Sequence, residues 1–170
     1  TLWKSPGIAR KLDAPSLTAP VDLNVWTAAM NTTEKRRWLT GKTETQALYG
    51  REVKIVQTKG NWSQVVVTDQ STSKSRYGYP GWLPTVHLKS VSASEWSRTS
   101  GKEAVVSAKI STLYKPDGKS KLLDLSFGTR LPVTSEKGEW VDVRTPQHGI
   151  ARLRAEDVKI TNVGKAEAQP

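Results

Sequence analysis

Val53 and Ile55 alternate with polar residues up to a Lys59-Gly60 pair, after which Trp62, Val65 and Val67 open a second alternating stretch. The figure returns at Leu131 and Val133, Lys137-Gly138, and then Trp140, Val141 and Val143. A period of two, broken by a flexible glycine turn, predicts a β-hairpin with one buried face. Gly50, Val53, Ile55, Lys59, Gly60, Trp62 and Val65 recur as Gly128, Leu131, Val133, Lys137, Gly138, Trp140 and Val143, each displaced by 78 positions, so a module is duplicated.

The repeat extends outward with changing displacement. Thr1-Leu2-Trp3-Lys4 returns as Thr112-Leu113-Tyr114-Lys115, displaced by 111, and Gly81-Trp82-Leu83 is aligned with Gly149-Ile150-Ala151, displaced by 68. The first copy therefore carries 33 extra residues before Gly50 and 10 between Trp62 and Gly81. Added residues would destroy strand register, so both insertions are expected in loops.

Strands are predicted at 2–4, 46–49, 51–57 and 62–68 in the first copy, and at 108–114, 122–125, 129–134, 140–144 and 149–152 in the second. Within the long insertion Leu23, Trp26 and Met30 are spaced to share one face of a helix. Asn31 and Glu34 have the spacing of a capping box for a second helix that stops at Gly41. Trp26 and Trp38 are assigned to the core. The polar stretch 69–77 reads as an exposed loop, ending in a stiff Gly78-Tyr79-Pro80-Gly81-Trp82 turn that presents two aromatics. Residues 90–101 read as a polar connection in which Trp96 stacks between the modules. The chain is thus expected to be all-β: an embellished domain at 1–91, a connector at 92–104, a plain domain at 105–163 and a linker at 164–170.

Composition narrows the chemistry. The 170 residues include no cysteine, which removes disulfides and any thiolate nucleophile from this chain. His87 and His148 stand alone in the closing segments of the two copies, without carboxylate partners nearby in sequence, so neither a catalytic group nor a metal site is expected, and no cofactor is implied. No apolar run approaches the roughly 20 residues of a membrane span. The opening inside a predicted strand suggests a removed upstream segment. The formal charge is +10, with 13 Lys and Arg against 6 Asp and Glu in residues 1–92 and 13 against 10 thereafter. Such a surface favours polyanions, whether nucleic acid, anionic lipid headgroups or the teichoic acids of a Gram-positive wall, or serves solubility alone.

The string Thr45-Gln46-Ala47-Leu48-Tyr49-Gly50-Arg51-Glu52-Val53, followed by Gly60-Asn61-Trp62, Asp69-Gln70 and Gly78-Tyr79-Pro80-Gly81-Trp82, resembles the first bacterial SH3 (SH3b) domain of NlpC/P60 γ-D-glutamyl-L-diamino-acid endopeptidases, the dipeptidyl-peptidase VI type. Leu2-Trp3, Pro6, Arg10, Asp13, Pro20-Val21-Asp22-Leu23 and Trp26 fit the long first loop of that family, and the plain copy resembles its second SH3b domain. The resemblance implies two SH3-like small barrels in tandem, the first with a helix-containing RT-type loop. It also implies a secreted or envelope-associated bacterial protein that handles peptidoglycan, with a papain-like catalytic domain following the barrels when the parent protein is longer.

In that family an aromatic of the first SH3b domain walls the substrate cleft and admits peptides with a free N-terminal L-alanine. Tyr79 is the candidate for this role, with Tyr77 second. Trp82 is the third aromatic of the group, although capping the barrel core is the favoured role for it. The leading expectation is a noncatalytic SH3b pair that binds or positions murein peptide, with possible anionic wall polymers as further partners. The alternatives are the N-terminal part of a complete NlpC/P60 endopeptidase and, third, a basic barrel that binds nucleic acid.

Overall fold

In a computed structural model describing residues 1–96 and 101–163, the chain divides into two units. The first comprises Thr1–Ala47 and Arg51–Leu88; the second comprises Leu48–Gly50 and the residues from Lys89 onward.

The first unit contains β1 (Leu2–Trp3), a 3-10 helix (Lys11–Ser16), α1 (Leu23–Ala29), α2 (Thr33–Trp38), β2 (Thr43–Thr45), β3 (Val53–Lys59), β4 (Trp62–Val67), β5 (Tyr79–Pro84) and a closing 3-10 turn (Thr85–His87). Its sheet runs β2-β1-β5-β4-β3, with every pairing antiparallel. The inner face buries Leu2, Val65, Val67 and Leu83. The outer face buries Trp3 and Trp82 beneath Trp26 and Met30 of the insertion, with Trp38 and Trp62 packed alongside.

Asp13 organises this cover. Its wholly buried carboxylate accepts hydrogen bonds from Arg10 Nε at 2.9 Å, Arg10 Nη2 at 3.1 Å and the Trp26 indole at 2.9 Å. The Arg10 guanidinium also lies 4.0 Å over the Trp38 ring. Burial alone would raise the pKa of Asp13, but these donors and the Arg10 charge hold it below the usual carboxylate value. The two helices form as expected with altered ends. Asp22 caps α1 and Thr32, rather than Asn31, caps α2, each accepting from the backbone N–H three residues on. Leu23 is 40 % exposed, so the buried stripe is carried by Trp26 and Met30 alone.

The second unit contains α3 (Ala93–Trp96), β6 (Lys102–Val106), β7 (Ile110–Tyr114), β8 (Lys121–Ser126), β9 (Arg130–Lys137), β10 (Trp140–Thr145), β11 (Gly149–Arg154), a 3-10 turn (Ala155–Asp157) and β12 (Val158–Asn162). The strand order is β12-β6-β9-β10-β11-β7-β8. One continuous core gathers Leu113, Leu125, Leu131, Val133, Val141, Val143 and Leu153 with Ala104, Val106 and Ala151. Asp117-Gly118 makes the β7–β8 turn. Gly118 takes φ +68°, and hydrogen bonds from Ser120 and the Lys119 backbone bring the Asp117 carboxyl down to about 2.

Several expectations are corrected. Residues 46–49 are not a strand: Leu48–Gly50 belongs to the second unit, where Tyr49 packs against the core. Residues 102–104, expected in the connector, begin β6, which pairs with both β9 and β12. Trp96 packs against the core of the second unit. The alignment of Gly81 with Gly149 is also displaced by two. Gly81 pairs with Val65, 16 residues earlier, whereas Ala151 pairs with Val143, 8 residues earlier. Gly81 therefore corresponds to Ala151, and the second insertion has eight residues rather than ten. Both barrels share a bulge at the equivalent position, Val56 in β3 and Thr134 in β9, which tilts the strand there.

Candidate functional site

The chemistry of the first barrel gathers around the 69–77 loop. The loop is pinned at its base by the Arg51–Asp69 ion pair, by Thr45 donating to Gln70 at 2.8 Å and by Gln70 donating to the Gln46 carbonyl at 2.9 Å. It ends at Gly78, which has φ +127° and lies so close to β4 that a Cβ would stand 2.2 Å from the Val67 carbonyl oxygen. Only glycine fits there.

The Gly78–Trp82 stretch, expected as an exposed turn, is instead the start of β5. Pro80 is accommodated because β5 pairs only with β4 at that point, β1 reaching no farther than Trp82. Strand geometry then sorts the three aromatics. Trp82 is 8 % exposed inside the tryptophan cluster, which removes it from any ligand face. Tyr79 is half-buried at the end of the sheet, its hydroxyl 3.3 Å from Glu44 Oε2. Tyr77 is 58 % exposed, with the Arg76 guanidinium over its ring at 4.7 Å and hydrogen-bonded to its hydroxyl.

Tyr79 completes a small charged cluster. The Glu44 side chain is only 15 % exposed and is ion-paired with Lys74, whose ammonium also lies 5.3 Å over the Tyr79 ring. The hydrogen bond that Lys74 donates to Glu44 raises the pKa of Lys74. Across the loop, an open groove of about 450 Å³ runs over the outer face of the sheet. Val56, Val66 and Pro80 contribute apolar surface to it, Lys54 and Gln64 polar groups, and Lys74 and Tyr77 the loop side. The β3 bulge is what brings Val56 into this groove, since it is the residue left without a partner between the Ile55 and Gln57 pairs.

Sequence reasoning reached Tyr79 and Tyr77 but missed Glu44 and Lys74. Glu44 stands among threonines in the Lys42–Gln46 stretch, and its role depends on a neighbour 35 residues away, which no local signal encodes. His87 Nε2 lies 2.7 Å from the Thr18 carbonyl, and burial lowers its pKa. Among the described residues no cluster of His, Asp and Glu is placed to hold a metal ion, and no helix is long and apolar enough to cross a membrane.

Comparison with known proteins shows what these elements are similar to. Residues 106–160 match the family described as the YKFC SH3b2 domain. A γ-D-glutamyl-L-lysine dipeptidyl-peptidase of Bacillus cereus is 41 % identical over 160 residues, covering 92 % of this chain and 47 % of the relative. Its counterpart of the same name from Bacillus subtilis is 28 % identical over 145 residues, covering 85 % and 47 %. The crystal structure of an NlpC/P60 family protein from Bacillus cereus has a TM-score of 0.86 and 39 % identity, over 96 % of this chain and 54 % of that one. The chain thus spans about half the length of these relatives. Two antiparallel SH3-like barrels, the matched second domain and the agreement over nearly the whole chain lead to one conclusion: the chain is similar to the SH3b-bearing half of NlpC/P60 dipeptidyl-peptidases.

Proposed function

We propose that the first barrel binds the free amino end of a murein peptide at Glu44 and Tyr79 and so positions the peptide for a peptidase domain. One observation carries this reading: a primary ammonium, that of Lys74, already sits on the Glu44 carboxylate and over the Tyr79 ring. A confined carboxylate beside a phenol and a ring face is a receptor for a small cation. The family resemblance supplies the natural occupant, the α-ammonium of an N-terminal L-alanine, for which Lys74 would be exchanged. Lys54 and Tyr77 in the adjoining groove suit the carboxylate and aliphatic parts of the residues that follow. Bond cleavage falls outside these barrels, because the nucleophile of such peptidases is a thiolate and the chain has no cysteine. The setting is extracytoplasmic, at the bacterial cell envelope.

The test is an NMR titration of this chain with L-alanyl-γ-D-glutamyl-L-lysine and with the same peptide N-acetylated. Shifts centred on Tyr79 and Glu44 with the free amine, weakened about 10-fold or more by acetylation and by Glu44→Gln, are expected. Equal binding of both peptides would overturn the amine site. In the complete enzyme, Tyr79→Ala should widen peptide selectivity; unchanged selectivity would take Tyr79 out of the site.

A further inference from the structure

The second barrel carries a different surface. Pairing of Trp140 with Arg154 and Asp142 with Arg152 across β10 and β11, and of Arg152 with Tyr114 across β11 and β7, brings these residues onto one outer face. Tyr114 and Trp140 meet edge to face with centroids 5.5 Å apart. The Arg154 guanidinium lies 5.1 Å from the Trp140 centroid and 5.9 Å from that of Tyr114, and Arg152 lies 5.4 Å over Trp140. Both rings are partly exposed, and Arg154 is exposed.

We propose that this face is a binding site for a sugar ring bearing a carboxylate. Three features select that ligand. First, the charges on the face are unequally used. Asp142 holds Arg152 at 3.0 Å and Lys137 at 3.3 Å, whereas Arg154 has no carboxylate within ion-pair distance among the described residues. One unspent guanidinium, steadied against two rings, matches a single bidentate carboxylate better than the phosphate ladder of a nucleic acid.

Second, β11 is paired on both sides, so the face offers ring surfaces and side-chain donors but no free strand edge. Recognition of an extended peptide through its main chain is therefore not available here. The apolar C–H face of a pyranose needs only an aromatic surface of this kind. Third, the first barrel shows what its equivalent face accepts. There Trp3, Trp62, Trp82 and Pro84 stand where Tyr114, Trp140, Arg152 and Arg154 stand in the second barrel, by the register of β4–β5 and β1–β5. A flat ring, Trp26 of the insertion, packs on that patch with its centroid 6.4 Å from that of Trp3. The second barrel lacks the insertion and leaves the patch partly exposed, with the Gly118 turn against one edge of the Trp140 ring.

The site is independent of the amine site in the first barrel, and the experiment keeps the two apart. The complete 170-residue chain is titrated with N-acetylmuramic acid and with N-acetylglucosamine, which shares the ring and acetamido group but lacks the carboxylate. Saturable shifts of the Trp140 indole and of amides near Arg154, about 10-fold weaker with N-acetylglucosamine and about 10-fold weaker again in Arg154→Gln, are expected. Arg154 is exposed, so Arg154→Gln should fold normally. Arg154→Lys, which keeps the charge but not the planar fork, should recover only part of the affinity. Equal binding of the two sugars, absence of saturable binding, shifts centred on Tyr79, or Arg154-dependent binding of a single-stranded oligonucleotide tighter than that of the sugar would each overturn the proposal.

Discussion

The two barrels share a hairpin, a bulge and a core, and they differ in what lies on the outer face of the sheet. In the first, the 33-residue insertion covers a tryptophan patch and leaves Trp82 8 % exposed. In the second no insertion covers the corresponding patch, which stays partly exposed, and Arg152 and Arg154 stand in the places of Trp82 and Pro84. Covering the face moves the reactive groups of the first barrel to its other loop, where Glu44, Lys74 and Tyr79 meet. The same scaffold thus carries a cation-accepting cluster at a loop in one copy and a cation-presenting sheet face in the other, which is how small barrels acquire separate functions without changing fold.

The largest difference between the barrels is expected on removing the group that holds the cover in place. Asp13→Ala would leave the Arg10 guanidinium, 20 % exposed, without its carboxylate, at a cost of about 3–5 kcal/mol to the first barrel. Asp142→Ala in the second barrel also unpairs an arginine, Arg152 at 17 % exposure, but it strands no buried indole as Asp13→Ala strands Trp26, and its second partner Lys137, 63 % exposed, turns to water, so it should cost less, about 1–3 kcal/mol. Denaturant unfolding followed by amide exchange resolves the barrels. Equal losses would show that the Asp13 network does not support the cover.

The same carboxylates set the acid limb. Burial would raise the pKa of Asp13 and Asp142, but their donors prevail and both are lowered: Arg10 and Trp26 for Asp13, Lys137, Arg152 and Ser135 for Asp142. A lowered folded pKa means that the folded state binds fewer protons than the unfolded chain. The stabilisation is therefore complete above the unfolded value of about 4 and is lost as pH falls through the folded values. Asp13→Asn should flatten the decline of first-barrel stability below about pH 4, and Asp142→Asn should do so in the second. A decline that keeps its slope in Asp13→Asn would assign it to other carboxylates.

How far the sequence led follows from which residues have local signals. The hairpins were legible because alternation, a Lys-Gly turn and a following Trp lie within 13 residues of one another in each copy. β6 and β12 were not, because Lys-Glu-Ala-Val-Val and Val-Lys-Ile-Thr-Asn are short and gain their order by pairing with each other 50 or more residues apart. The two-residue error in the repeat arose from matching glycine to glycine. Gly149 sits at φ +61° and serves a turn, whereas Gly81 has no positive φ and makes room for Leu2. The exposed aromatics were legible as types, but burial separated Trp82 from Tyr79 and Tyr77. Arg152 and Arg154 alternate along β11 in plain view; only pairing with β10 and β7 shows that they stack on Trp140 and Tyr114.

That glycine gives a reciprocal exchange of moderate size. Gly81 and Ala151 are equivalent, yet a Cβ on Gly81 would fall 2.6 Å from Leu2 Cβ. Gly81→Ala should cost the first barrel about 1–3 kcal/mol through overpacking. Ala151→Gly, which empties a filled position in a central strand, should cost the second about 1 kcal/mol. Paired melts of the two variants measure the asymmetry. A tolerated alanine at 81 would mean that β1 shifts freely over β5.

The smallest effects on stability give the clearest division of function. Lys74 and Arg154 are exposed, and their removal should move the unfolding midpoints little, Lys74→Ala the more of the two because Glu44, 15 % exposed, keeps only the Tyr79 hydroxyl as a partner. Their effects on binding should nevertheless run in opposite senses. Lys74→Ala vacates Glu44 and Tyr79, so the first barrel should bind a peptide amine more tightly, since the incoming ammonium no longer displaces a resident one. Arg154→Gln removes the one unspent guanidinium on the second face and should weaken a carboxylated sugar while leaving the amine site as it was. Titrating each variant with both ligands yields four affinities, and the comparison holds only when each substitution moves one of them and leaves the other alone. A Lys74→Ala chain that binds amines more weakly would show instead that Lys74 is part of the ligand contact, with its ammonium directed at the peptide and Glu44 serving to orient it.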